Sequence, residues 1–325
     1  MLKNNPSFYG SFGVTPYYTF DLNLHALQNI LSLQQVKKSY GPVQALKGVS
    51  FDVPPGSVFG ILGPNGSGKT TLLGIVLDVL RADAGTYSWL GGTAPETARQ
   101  QIGSLLETPN FYHYMSGMDN LEISAAIKQR GKDDRLNVLK MVNLLERKDS
   151  KFQTYSLGMK QRLAIASALL GQPKVLVLDE PTNGLDPAGI AEIRELIRNL
   201  NAQGITIIMA SHLLDEVEKV CTHMAVLKRG ELLVTGRVDD VLRSEDQVEI
   251  KAPDMEQLAA VVGNMPGVRS IDRVNGFLQL NVDEQATPAR VNAYCAQQGI
   301  TLSHLLLKKK SLESWFMELT GKEMN

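Results

Sequence analysis

The sequence predicts an α/β protein followed by a smaller α+β region. Three observations carry this. From residue 31 to about 243, short apolar runs alternate with helix-patterned stretches, the order of a parallel sheet covered on both faces. One of those runs, Val58–Leu62, leads into the glycine-rich Gly63-Pro64-Asn65-Gly66-Ser67-Gly68-Lys69-Thr70-Thr71 and then into an apolar helix start. After Ser244 the order of elements changes to β-α-β-β-α-β.

Length and composition agree. A chain of 325 residues suits two domains. A net charge of −1, with Lys308-Lys309-Lys310 as its main basic tract, supplies no field for nucleic acid. Cys221 and Cys295 lie far apart without metal-ligand spacing and suit a reducing compartment. No apolar run approaches the roughly 20 residues that span a bilayer, so any membrane role passes through a partner. Residues 1–30 scatter Phe8, Tyr9, Phe12, Tyr17, Tyr18 and Phe20 among Gly, Pro and Asn. They lack the layout of a signal peptide and read as a disordered tail.

In order, strands are expected at Leu33–Tyr40 and Leu46–Val53, with Pro54-Pro55-Gly56 turning into the strand Val58–Leu62. After the glycine-rich turn and its helix come a strand at Thr86–Leu90, a short helix at Pro95–Gln100 and a strand at Ile102–Leu106. Met118–Glu146 reads as helical, inside a helical subdomain over about 112–170 that ends with a helix to about Leu170. Lys174–Leu178 is apolar after its lysine, the mark of a central parallel strand. A helix to Ala202, a strand at Thr206–Ala210, a helix at Leu214–Val220 and a hairpin about Arg229-Gly230 complete residues 31–243. In 244–325, strands at Val248–Lys251, Val268–Arg273, Phe277–Val282 and Thr301–Leu307 enclose helices at Met255–Asn264 and Pro288–Gln298. Asn275-Gly276 is a hairpin turn, and Leu312–Leu319 is a closing helix. The order is that of a ferredoxin-like accessory domain.

The chemistry starts at Gly63–Thr71. The pattern G-x-x-x-x-G-K-T between strand and helix is a phosphate-binding P-loop. Glycines let the backbone curl round an anion, and the helix start adds its positive end. Lys69 is placed for the β- and γ-phosphates of a nucleoside triphosphate and Thr70 for Mg²⁺. Val175–Leu178 then runs into Asp179-Glu180, the expected second half of the site. Asp179 would hold Mg²⁺ through water, and Glu180 would act as general base on the attacking water. Ser156 and the N–H groups near Gly158 open another helix and form a second anion site.

These residues resemble the nucleotide-binding subunits of ABC transporters, over about Leu31 to Val241. Tyr155-Ser156-Leu157-Gly158-Met159-Lys160-Gln161-Arg162 is similar to the family signature, with Met159 and Lys160 departing from its commonest form. The resemblance implies ATP with Mg²⁺, and a dimer in which Ser156 and Gly158 of one subunit close on the ATP of the other. It implies adenine stacking on Tyr40, for which a strand-end core tyrosine is the competing reading. It places Asp186, in Gly184-Leu185-Asp186-Pro187, at the dimer interface. It makes His212 the switch residue that contacts the γ-phosphate. Glu107 stands where the family usually has a glutamine that touches the metal and senses the membrane partner. Leu106–Tyr112 resembles the loop of exporters that confer immunity to bacitracin and lantibiotics. Glu107→Gln is therefore expected to keep folding and ATP binding while changing hydrolysis or coupling. Unaltered ATPase and transport rates would remove any special role for Glu107.

The implied function is the ATP-hydrolysing subunit of an exporter with separate permease subunits, most simply as a homodimer at the inner face of the cell membrane. A soluble ABC-type ATPase acting on ribosomes or DNA is the alternative. The single cassette, the absence of coiled-coil heptads and the neutral charge all weigh against it. A P-loop kinase or GTPase leaves the Ser156–Arg162 block unexplained.

Overall fold

The computed structural model describes residues 28–106, 110–243, 247–283, 285–308 and 312–320. The tail expected over 1–30 lies outside these up to residue 27, as does Glu107.

Strand β1 (Leu31–Tyr40) pairs antiparallel with β2 (Val43–Val53), which turns into β3 (Val58–Leu62). Helix α1 (Lys69–Val76) follows, then β4 (Ala84–Trp89), which pairs with the other edge of β1. After α2 (Pro95–Gln100) and β5 (Ile102–Leu105) come α3 (Gly117–Lys128), α4 (Arg135–Met141) and α5 (Leu157–Leu169). Strand β6 (Val175–Asp179), α6 (Pro187–Ala202), β7 (Thr206–Ser211), α7 (Leu214–Val220) and the hairpin β8 (His223–Lys228) and β9 (Glu231–Arg237) complete the main body. Helix α8 (Val238–Arg243), which the sequence did not announce, closes it.

The large sheet has the order β5-β6-β7-β3-β8-β9, parallel except for β9. Every residue of β3, β6 and β7 is buried, which is why these strands read as unbroken apolar runs. Strands β6, β7 and β3 are neighbours, so their carboxyl ends bring Asp179, Ser211 and the turn after Leu62 to one edge. That edge is where ligands bind in open α/β sheets.

The helix expected over Met118–Glu146 is two helices. Helix α3 starts on a capping box, in which Ser116 and Asp119 bond each other's backbone N–H groups. It stops at Gln129, whose φ of 54° is left-handed, and the chain turns again at Asn143 with the same φ. Helical periodicity alone does not register such reversals, because it counts apolar spacing and not backbone handedness.

Lys128, in the last turn of α3, donates hydrogen bonds to Ser167 O (2.6 Å) and Ala168 O (3.4 Å) near the end of α5. Burial, with the nearby Arg130 charge, lowers its pKa from 10.5 to about 8. The unfolded chain therefore holds a proton that the folded chain releases across this window, so this group adds to stability as pH rises through it. Wild-type protein is expected to gain stability relative to Lys128→Met between pH 8 and 10, as read from denaturant midpoints. A pH-independent difference between the two would refute the shift.

The C-terminal region comprises β10 (Gln247–Lys251), α9 (Met255–Val262), β11 (Val268–Val274), β12 (Phe277–Val282), α10 (Pro288–Gln297), β13 (His304–Lys308) and α11 (Leu312–Thr320). Its sheet has the antiparallel order β11-β12-β10-β13, that of a ferredoxin-like fold. The last strand begins at His304 rather than Thr301, with Ser303 N–H bonding Lys251 O (2.8 Å) just before it. Val248, Ile250, Leu258, Leu278, Leu280, Val291 and Cys295 form its own core.

Candidate nucleotide-binding site

The loop after β3 is built to present donors. Ser67 N–H bonds back to Pro64 O (3.1 Å), closing a turn, and α1 starts at Lys69 itself. Leu72 N–H is the first to bond into the helix, to Gly68 O (2.9 Å). The N–H groups of Lys69, Thr70 and Thr71 thus precede the ladder, in the position helix starts offer to anions. Gly68 has a φ of 107°, and a Cβ there would lie 2.6 Å from Ala45 O. Only glycine lets the loop pass this close to β2.

Lys69 is 6% exposed, and its Nζ donates to Gly63 O (2.8 Å) and Pro64 O (3.3 Å). It also stands 3.5 Å from Glu180 Oε1. Glu180 continues the chain just beyond β6 with a φ of 48°, a left-handed conformation uncommon for a side chain of this size. Its N–H bonds Ala210 O (3.0 Å), which ties the turn to β7. Its other oxygen, Oε2, lies 2.8 Å from His212 Nδ1. Lys69, Glu180 and His212, expected from three separate stretches, therefore meet in one chain of contacts. The carboxylate sits between an ammonium and an imidazole.

A cavity of about 790 Å³ opens beside them. It is lined by Asn65, Gly66, Gly68, Lys69, Thr70, Thr71 and Glu180 on one side and by Tyr40, Gln44, Lys47 and Arg229 on another. Tyr40 is 48% exposed, with Lys38 Nζ 5.6 Å from its ring centroid. It is a cavity-wall residue, so the core-tyrosine reading fails. Lys47 and Arg229 escaped the sequence reading. They carry no local motif and reach the cavity because the β8–β9 turn packs on β2, where Lys47 N–H bonds Gly230 O (2.8 Å).

The residues present fit a triphosphate with a hard cation. Beside the loop and β6, Ser67 Oγ and Thr182 Oγ1 are buried without a hydrogen-bond partner among the described residues. A buried hydroxyl left so is unusual and calls for a polar ligand. Asp179, 5% exposed at the end of β6, and the Thr70 hydroxyl are oxygen donors of the kind Mg²⁺ takes. Among the described residues no cluster of three or more His, Cys, Asp or Glu forms a metal cage. Mg²⁺ on nucleotide phosphates needs none, since it keeps several waters.

Ser156, Gly158 and Asp186 are not among the residues that line the cavity. Ser156 caps α5 by accepting from Met159 N–H (3.3 Å), and Asp186 caps α6 by accepting from Gly189 N–H (2.9 Å). The two helix starts lie together, a Cβ on Gly158 reaching within 4.0 Å of Gly189 Cα. Leu157 between them is 50% exposed. Arg162 braces the pair, bonding Val142 O (3.2 Å) and Asn143 O (3.1 Å) and pairing with Glu192 of α6 at 3.4 Å. The chain thus presents a second, solvent-exposed pair of helix N-termini outside the lining of its own cavity.

The sequence and fold are similar to those of known proteins. The ABC transporter family model matches residues 46–183, a span holding both Lys69 and Glu180. The ABC transporter ATP-binding protein YdbJ of Bacillus subtilis (strain 168) is 36% identical over 301 residues, covering 90% of this chain and 95% of that protein. The bacitracin transport ATP-binding protein BcrA of Enterococcus faecalis is 32% identical over 303 residues, covering 91% and 97%. Among solved structures, the dimeric post-hydrolysis state of an ATP-binding cassette bound to ADP and Pi aligns with a TM-score of 0.57 and 28% identity, over 64% of this chain and 98% of that one.

Proposed function

Since this chain belongs to the family of ABC transporter ATP-binding subunits, we propose that it powers an exporter whose membrane-spanning permease is a separate chain. It binds ATP and hydrolyses it, as the family does. The observation that carries the exporter reading is the reach of the likeness to the bacitracin transport protein, which spans both the ATPase body and the C-terminal region. The separate permease is supported by the described residues, where no helix is long and apolar enough to cross a membrane. The proposed division places a helical subdomain over about 112–170 inside the ATPase domain of 31–243, and an accessory domain over 244–325.

In the proposed mechanism Lys69 leaves the carbonyls of Gly63 and Pro64 for the β- and γ-phosphates. The N–H groups of Lys69, Thr70 and Thr71 and the loop from Gly63 to Gly68 enclose the chain of phosphates, and Tyr40 stacks on adenine. Thr70 and Asp179 would hold Mg²⁺, with Glu107 its proposed neighbour. The ion, when bound, would supply positive charge to the phosphates. Once Lys69 turns to phosphate, Glu180 loses that ion pair and is free to take a proton from the attacking water. His212 orients Glu180 through Nδ1. A simultaneous bond from Nε2 to the γ-phosphate requires both ring nitrogens to carry hydrogen. Ser156 and Gly158, outside the lining of their own cavity, suit the nucleotide of a second copy, with Asp186 at the joint.

Fractionation tests the transport reading. The protein is expected to co-purify from membranes with an integral subunit. A chain that stays soluble and pellets with ribosomes would overturn the exporter in favour of the soluble ATPase.

A further inference from the structure

Helix α7 links the candidate hydrolytic residues to the C-terminal region. It spans only seven residues and begins two residues after His212. A helix this short has little stability of its own in water, so its position is set by what packs on it. Contacts from β3, α6 and α11 do so. Val217 is fully buried against β3, where a Cβ on Gly60 would lie 2.8 Å from Val217 Cγ1 and 3.0 Å from Cys221 Sγ. The strand that feeds the phosphate loop admits α7 because residue 60 has no side chain. Glu216 forms a two-pronged ion pair with Arg194 of α6, at 3.2 and 2.8 Å. The contact from α11 is the last. Glu218 Oε2 accepts from the N–H of Leu312, the first residue of that helix, at 2.8 Å. Leu312 and Phe316, 0% and 1% exposed, are buried in the same core as Val217 and Leu214, with Trp315 packed beside them. Helix α11 follows the last strand of the C-terminal sheet, yet these residues join the ATPase body rather than that sheet's own core.

We propose that α11 is a positioning element for hydrolysis. By seating Leu312 and Phe316 beside α7 and engaging Glu218, it sets where His212 stands against Glu180. The C-terminal region thereby governs turnover without touching nucleotide. This rests on Glu180 and His212 being the hydrolytic pair. The position of a catalytic contact matters steeply, since a displacement of about 1 Å can cost about 10²-fold in rate.

The test is steady-state ATPase on the full chain for Phe316→Ala, Glu218→Gln, His212→Ala and the double variant Phe316→Ala with His212→Ala, beside ATP affinity and thermal midpoints. Phe316→Ala is expected to lower kcat about tenfold with ATP affinity unchanged, a split that general destabilisation does not produce. In the His212→Ala background it is expected to add nothing, because the residue it positions is gone. An equal loss of kcat in both backgrounds, or no loss with His212 present, overturns the proposal while leaving the site reading intact. Full activity of His212→Ala removes the site reading itself and the proposal with it. Should Phe316→Ala fail to fold, Glu218→Gln keeps the shape and weakens the cap on α11. Its own combination with His212→Ala then decides by the same comparison.

Discussion

Glu180→Gln is expected to lower ATP turnover by about 10²–10⁴-fold while the protein still binds ATP. The amide keeps the length and volume of the side chain and still accepts from His212 Nδ1. It cannot take a proton from water. The same change dissolves the 3.5 Å ion pair with Lys69, so the ammonium meets less competition for phosphate. ATP affinity is therefore expected to hold or rise, and an ATP-bound dimer should accumulate on size exclusion because closure is no longer followed by hydrolysis. The left-handed φ at this position does not discriminate between Glu and Gln, so a folding defect is not expected. Normal single-turnover hydrolysis by the variant would take Glu180 out of the general-base role.

The second large effect is expected at Lys69. Lys69→Ala should weaken ATP binding by about 10²-fold or more, the scale of losing a buried charge-assisted contact. Lys69 is the one cationic side chain in Gly63–Thr71 and is already desolvated at 6% exposure. Little further dehydration is needed when phosphate replaces the carbonyls of Gly63 and Pro64. Titration calorimetry with ATP reads the loss, and thermal midpoints separate it from unfolding. Lys69→Arg is expected to rescue poorly, because a planar fork cannot take the place of a compact ammonium within the turn. Undiminished affinity in Lys69→Ala would overturn the placement of phosphate in this loop.

Much of the site was legible because its pieces are local. A glycine-rich turn between an apolar strand and a helix, or two acids at the end of an apolar run, is written in neighbouring residues. Tyr40 was only half legible: a tyrosine at a strand end reads equally as core or as cavity wall until the neighbouring turn at Gly41 is seen to open beside Asn65 and Gly66. Lys47 and Arg229 were not legible, since they approach the cavity through a contact between β2 and a hairpin some 180 residues away. The break between α3 and α4 was missed for a related reason. Its reversal combines left-handed backbone at Gln129 with Gly131, φ 77°, and that glycine was the local signal the periodicity reading passed over.

The strand–loop–helix read as a phosphate site, the acidic strand end, the signature-like helix start and the order of the C-terminal elements were all readable in the residues alone. Each is encoded by residues within a few positions of one another, where backbone preference and burial period act directly. Only the folded chain shows that Glu180 stands between Lys69 and His212, that Ser156 and Gly158 lie outside the cavity lining, and that α11 packs on α7 rather than into the core of the C-terminal sheet. Those facts depend on the strand order β6-β7-β3 and on which apolar faces meet. Contacts between residues far apart in the chain are set by how the whole core closes, and no short stretch carries that information.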